Sequence, residues 1–264
     1  MTELSFVIPT IGDADSRINQ IIDSIEKQNI PNYEIIIVGG GAESIIRTNT
    51  THIPITTELD NLSRKKNIGI AASKYDTLVI MHDYHVFDDS WYIEFEAFGQ
   101  DWDICVHAVY HSKEQGHIRG NGWRACLIPQ YPELPDAMCI PWDIDCLVPY
   151  MPIQGSYWVA KKHVMVAEPL SEQLMFNQGE DIEWSSRVIP GWLGILPITS
   201  KYKIAANPKC KVYLNKIKPT YPGNPDWAAM EKSFETLWDF LRLGGRRSGA
   251  CYYDSKSNTV FFAE

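Results

Sequence analysis

The sequence predicts an α/β protein with a mostly parallel central sheet and helices on both faces. Three observations carry this reading. Strand-like and helix-like patterns alternate through residues 4–81, the strand-like runs are continuously apolar, and proline or glycine closes the first two of them. Unbroken apolar strands are expected where both sheet faces are covered. Strand–helix–strand order then gives parallel pairs with right-handed crossovers.

The elements follow in order. Residues 4–8 form a short β-rich run stopped by Pro9, and Gly12 opens a turn. Ile18, Ile21, Ile22 and Ile25 recur at helical spacing, with Asp15 placed as the N-cap. Pro31 ends that segment, residues 33–38 are a continuous apolar strand, and Gly39, Gly40 and Gly41 break it. After an irregular stretch, residues 62–72 read as a helix and residues 77–81 as a buried strand. Ligands of such sheets bind beyond the carboxyl ends of the strands, which points to Pro9 and Thr10, to Gly39, and to whatever follows Met81.

The second half has a different texture. Seven of the nine tryptophans lie between Trp91 and Trp192, among many prolines. Antiparallel strands are expected there, best at residues 103–110 and 155–160. A late helix starts with Asn224 as N-cap and Pro225 in the first turn, carries Trp227, Met230, Phe234, Leu237 and Leu241 on one face, and ends at Gly244. Residues 250–263 read as a small hairpin.

Charge and cysteine usage narrow the function class. The 264 residues carry 24 Lys+Arg against 33 Asp+Glu, a net charge of −9, which argues against sequence-independent nucleic-acid binding. No apolar run approaches the roughly 20 residues that a bilayer demands, and Glu3 sits where a secretory signal would be basic. The six cysteines form no C-x-x-C pair, the usage of isolated reduced thiols. A cytoplasmic protein without a transmembrane segment is the expectation, with peripheral attachment to a membrane or assembly left open.

Four constellations could carry chemistry. His82-Asp83-Tyr84-His85 follows the 77–81 strand directly, so that Asp83 and His85 offer one hard oxygen and one imidazole nitrogen. Such a mixed set suits Mn²⁺ better than Mg²⁺ or Ca²⁺; a polar turn with backbone-bonded histidines is the plain alternative. Glu180 and Asp181 follow Gly179 at a helix start, where carboxylates serve equally well as caps. Arg64, Lys65, Lys66 and Asn67 form a basic run able to reach a phosphate, although a solvated helix face is the commoner meaning. The tryptophans could stack on sugar rings, with core packing as the default.

In this order the features resemble the GT-A glycosyltransferases, especially those of family 2. The matching parts are the strand ending Ile8-Pro9-Thr10, Lys66-Asn67-Ile68-Gly69, the Asp83-Tyr84-His85 motif, Gly155 in Gln154-Gly155-Ser156-Tyr157-Trp158, and Glu180-Asp181. The resemblance spans residues 4–215 and implies a glycosyltransferase domain over 1–220, with a nucleotide-sugar half (about 1–100), an acceptor half (about 101–220) and a C-terminal extension (221–264). It implies transfer from a nucleotide-diphosphate sugar, UDP-linked, to an acceptor hydroxyl of a glycan or small molecule. Asp181 would be the general base with Glu180 as its rival, and inversion would follow by analogy. Asp83 and His85 would hold a divalent metal, Mn²⁺ rather than Mg²⁺. Pro9, Thr10, Gly39, Lys66, Asn67, Asp83 and Gly155 would line the donor site, and Trp123, Trp158 and Trp184 the acceptor site.

The sequence departs from the family pattern in three places. The metal motif ends in His85 rather than aspartate, a variant also similar to that of retaining polypeptide GalNAc-transferases. Gly39-Gly40-Gly41 stands where a base-reading aspartate is usual. No histidine follows His163, so Asn215 is the nearest positional substitute for a late ligand. A catalytically silent module that binds sugar or a protein partner is the alternative these departures favour.

Overall fold

The computed structural model describes residues 1–10, 15–55, 61–111, 123–127, 137–141, 153–174, 180–189, 201–215, 251–254 and 259–262. The expected helix over 224–241, Trp142 and the Gln178-Gly179 pair lie outside them.

The amino-terminal half follows the expected alternation: β1 (Leu4–Pro9), α1 (Asp15–Glu26), β2 (Tyr33–Val38), β3 (Thr50–Ile53), α2 (Leu62–Ala72) and β4 (Thr77–Met81). β1 and β4 are buried along their whole length, as continuous apolar runs dictate. In α1 the 3.6-residue period puts Ile18, Ile21, Ile22 and Ile25 on one stripe, all at 0% exposure. Each such side chain contributes about 1.5–3 kcal/mol when it leaves water. Asp15 stands inside the first turn of α1 rather than at its cap. In α2, Asn61 is the N-cap, accepting from the Arg64 N–H. A Cβ on Gly69 would fall 2.4 Å from Val7 Cγ1, so glycine lets α2 lie directly on β1.

The remaining elements are β5 (His85–Phe87), α3 (Trp91–Phe98), β6 (Ile104–His111), β7 (Trp123–Leu127), β8 (Ala137–Pro141), β9 (Tyr157–Lys161), α4 (Lys162–Ala167), α5 (Glu180–Val188), β10 (Ile204–Leu214), β11 (Cys251–Asp254) and β12 (Thr259–Phe262). β11 and β12 pair antiparallel as the expected hairpin, and β7 pairs with β8 in another two-stranded sheet.

Eight strands form one sheet in the order β3-β2-β1-β4-β9-β6-β10-β5. The β1–β2, β1–β4, β2–β3 and β6–β10 pairs are parallel, while β9 runs against both β4 and β6, and β5 against β10. The sheet is thus mostly parallel. Because β1 lies between β2 and β4, the winding reverses at its carboxyl end, the place where open α/β sheets bind ligands. The antiparallel β9 brings its own beginning to that same edge, with Tyr157 opposite Met81 and His82 N–H donating to Ser156 O at 2.9 Å.

Two apolar clusters fill the two faces. One gathers Phe6, Ile8, the α1 isoleucines, Phe87, Trp91 and Phe95; the other gathers Val7, Leu78, Ile80, Trp158, Val164, Trp184 and Val188. Among the described residues no helix is long and apolar enough to cross a membrane. Cys105 and Cys210 are buried free thiols.

Candidate functional site

The exits of β1 and β4 converge. Thr10 Oγ1 donates to Asp83 Oδ2 at 3.1 Å, and Arg17, in the first turn of α1, places Nη2 at 3.8 Å from the same oxygen. From α2, Lys65 Nζ donates to Thr10 O at 2.9 Å. Thr10 N–H donates to Val38 O, which draws the exit of β2 alongside. There Gly39 takes φ +132°, and a Cβ on it would fall 2.0 Å from Thr10 O. Glycine at this position is a condition for the two chains to pass so closely. Pro9 closes β1 opposite Val38.

A second group forms where β9 and α5 begin. Gly155 N–H donates to Asp181 Oδ2 at 2.9 Å, and a Cβ on Gly155 would fall 2.7 Å from Asp181 Cβ. Glu180 is buried, whereas Asp181 is half-buried. Lys66 Nζ donates to Gly155 O at 2.7 Å and to Glu180 Oε1 at 3.3 Å, with 0% of the residue exposed. Burial pulls the Lys66 ammonium below the ordinary lysine range, and the nearby Glu180 and Asp181 carboxylates push it back up. Lys65 and Lys66 are consecutive on α2, roughly 100° apart around its axis. One therefore serves the first group and the other the second.

Several expected roles are corrected. Lys66 is enclosed and engaged by Gly155 and Glu180, so it is not presented to a nucleotide. Asn67 is also engaged elsewhere: its amide donates to Leu170 O (2.9 Å) and Glu172 Oε1 (3.0 Å) and accepts from Leu170 N–H. Trp158 and Trp184 are each 1% exposed and lie 5.6 Å apart in the core, with Trp184 Nε1 donating to Glu168 O. Fully buried rings offer no face to an acceptor sugar, so neither is an acceptor platform. Trp123 opens β7, and its side chain lies outside the described residues.

Asp83 and His85 are the residues expected to hold a divalent cation. The Asp83 carboxylate at the β4 exit is the hard oxygen such an ion takes. His85, the second expected ligand, opens β5 two residues further on. Its ring is 0% exposed, lies between Tyr84 and Tyr157 at 4.7 and 5.7 Å, and turns Nδ1 toward His82 O. Among the described residues no three His, Cys, Asp or Glu side chains gather as a metal cluster. Asn215 lies beside the motif through its backbone, whose N–H donates to Tyr84 O at 3.0 Å, while its side-chain amide donates to Gln20 Oε1 at 3.2 Å.

Sequence reasoning missed Arg17 and Lys65. Lys65 was visible only as one member of the basic run. Arg17 carried a positional signal, a cation in the first turn of the helix that follows a strand end expected to bind ligand.

No family profile matches the chain, and no curated protein matches it by sequence. Solved structures do. The crystal structure of S. aureus TarS 1–349 matches with a TM-score of 0.55 and 12% identity over 80% of this chain. The same fragment in complex with UDP-GlcNAc matches with a TM-score of 0.56 and 13% identity over 91% of this chain. The chain spans 60–65% of the length of that fragment and 38% of the longer TarS structure. At this identity the likeness concerns architecture alone, and that architecture is the GT-A type glycosyltransferase fold.

Proposed function

We propose that the protein transfers a sugar from a nucleotide-diphosphate donor, UDP-linked, to an acceptor hydroxyl. The observation that carries this reading is the meeting of two chemically different groups at one sheet edge: Thr10, Arg17, Lys65 and Asp83 beside Gly155, Glu180 and Asp181. The first group combines cations, a hydroxyl and a carboxylate at a strand-end crevice, which suits a diphosphate. The second supplies a half-buried carboxylate, which suits a general base. The shared fold with a structure holding UDP-GlcNAc supports the choice of donor.

Asp181 takes the proton of the acceptor hydroxyl as that oxygen attacks the anomeric carbon, and direct attack inverts the configuration there. Glu180 is the weaker candidate because its carboxylate already answers Lys66. Arg17 and Lys65 bring positive charge toward the leaving diphosphate. Asp83 and His85 would hold a divalent ion, which would supply further neutralisation of that charge. The preference for Mn²⁺ over Mg²⁺ rests on the His85 imidazole as the second ligand. The acceptor is a glycan or small molecule, with Trp123 as the remaining aromatic candidate for its site. The negative net charge speaks against nucleic acid as partner, and free thiols at Cys105 and Cys210 suit a cytoplasmic setting.

One observation favours a silent binding module instead: Arg17 already faces the carboxylate expected to hold the metal. A panel of sugar nucleotides, led by UDP-GlcNAc, separates the readings. Release of UDP with transfer or hydrolysis supports the enzyme. Saturable binding without turnover of any donor, under Mn²⁺ or Mg²⁺, would leave the silent module. Unfolding midpoints measured with nucleoside diphosphates, with and without each ion, report base and metal preference together.

A further inference from the structure

A fully buried ammonium is costly unless it is paired and hydrogen-bonded. Lys66 meets that condition with three partners: Gly155 O, Glu180 Oε1 and the Trp158 ring, whose centroid lies 4.9 Å from Nζ. These partners belong to the turn before β9, to the first residue of α5 and to β9 itself. Gly155 uses both ends of its backbone, the carbonyl toward Lys66 and the N–H toward Asp181. Glu180 is the residue that precedes Asp181. Lys66 thus grips the two neighbours that fix where the Asp181 carboxylate sits, across sequence separations of 89 and 114 residues.

Resting on the glycosyltransferase reading above, we infer that Lys66 is a positioning residue: it aligns the Asp181 carboxylate for the acceptor hydroxyl by holding Gly155 and Glu180 together, and does not itself bind donor. This assigns the second lysine of the basic run to the acceptor side, and leaves Lys65 to the donor side. It also separates the two acidic neighbours, with Glu180 as the counter-ion and Asp181 as the reacting group.

Lys66→Met keeps the chain length and the apolar contact with Trp158 while removing the charge. Lys66→Gln serves if the methionine variant does not fold, since its amide can still donate. Turnover is measured with a UDP-sugar well below the unfolding midpoint of each variant, alongside calorimetric UDP affinity and hydrogen exchange of peptides spanning 153–161 and 180–189. A displaced base costs roughly 10²-fold in kcat, while donor KM and UDP affinity stay within about twofold. Exchange is expected to quicken in those two peptides. Unchanged kcat in the folded variant overturns the inference and reduces Lys66 to a structural ion pair. Loss of UDP affinity equal to the loss of kcat overturns it too, by returning Lys66 to the donor site. If the wild type turns over no sugar nucleotide, the enzymatic reading has failed and the inference falls with it. Faster exchange confined to the two peptides would then report only that Lys66 braces them.

Discussion

The two halves of the site are built by different means. On the donor side, parallel strands bring Thr10, Gly39 and Asp83 together through backbone register, and the side-chain contacts add detail to a frame already made. On the other side, Gly155 and Asp181 come from a turn and a helix start with no shared ladder; one hydrogen bond links them, and a buried lysine ties Gly155 to Glu180. Sheet-built geometry tolerates loss of one polar contact. Geometry held by a single buried charge does not, because removing one partner leaves the other uncompensated.

The largest expected effect tests the acceptor side. Asp181→Asn retains an oxygen for the Gly155 N–H and should fold normally, while turnover falls by about 10²–10⁴-fold and UDP still binds. Full activity in this variant, with collapse in Glu180→Gln, would move the base by one residue. Gly155→Ala comes next, because its Cβ would press on Asp181. Overpacking of this kind costs about 1–3 kcal/mol in stability, and the displaced carboxylate should lower kcat more than it raises donor KM. A variant that is destabilised yet has normal kcat would show that Asp181 need not sit against this turn.

A smaller effect is expected on the donor side. Asp83→Ala should leave the fold intact and remove the stabilisation that a divalent ion adds to UDP binding, seen as about a tenfold loss of affinity, or about 1.4 kcal/mol. Equal UDP affinity with and without the ion in the wild type would assign the neutralising role to Arg17 and Lys65 alone.

The smallest effect on activity is expected in the core beneath the site, where His107 Nδ1 lies 2.8 Å from Tyr157 Oη. Burial pushes the His107 imidazole down to about 3 from 6.5. Between those values the unfolded chain takes up a proton that the folded chain refuses, so stability falls as pH drops through that window. The slope contributed is at most about 1.4 kcal/mol per pH unit. His107→Asn should flatten the dependence of unfolding free energy on pH between 4 and 6, roughly the centre of that window. An unchanged slope would mean that carboxylates dominate it.

Much of the donor half was legible in the sequence, and the reason is physical. β2, α2 and β4 match the expected 33–38, 62–72 and 77–81, since continuous apolar runs and clear breakers leave few alternatives. β3 was not legible, being a short edge strand with little burial. Nor was α3, where Trp91, Tyr92, Ile93 and Phe95 favour strand; Asp88 binding Ser90, together with Gly99 at φ +84°, bounds a helix instead. The ordered motifs located Thr10, Asp83, Gly155 and Asp181, but could not tell which of two adjacent lysines faces which half. That depends on how α2 is rolled on β1, which the close seat at Gly69 determines. Likewise, tryptophan content marked a region without saying which rings are core.

The reversed strand β9 has one further consequence. In a wholly parallel sheet, only the connections leaving strands reach the ligand edge, and those entering strands lie at the opposite end. Turning β9 around makes its entrance, Gln154-Gly155-Ser156, part of the reactive edge. On the proposed reading, variation in the chain just upstream of Gly155 would reach acceptor selectivity directly, while the donor exits stay untouched. A single strand reversal thus lets this architecture change what it modifies without changing what it spends.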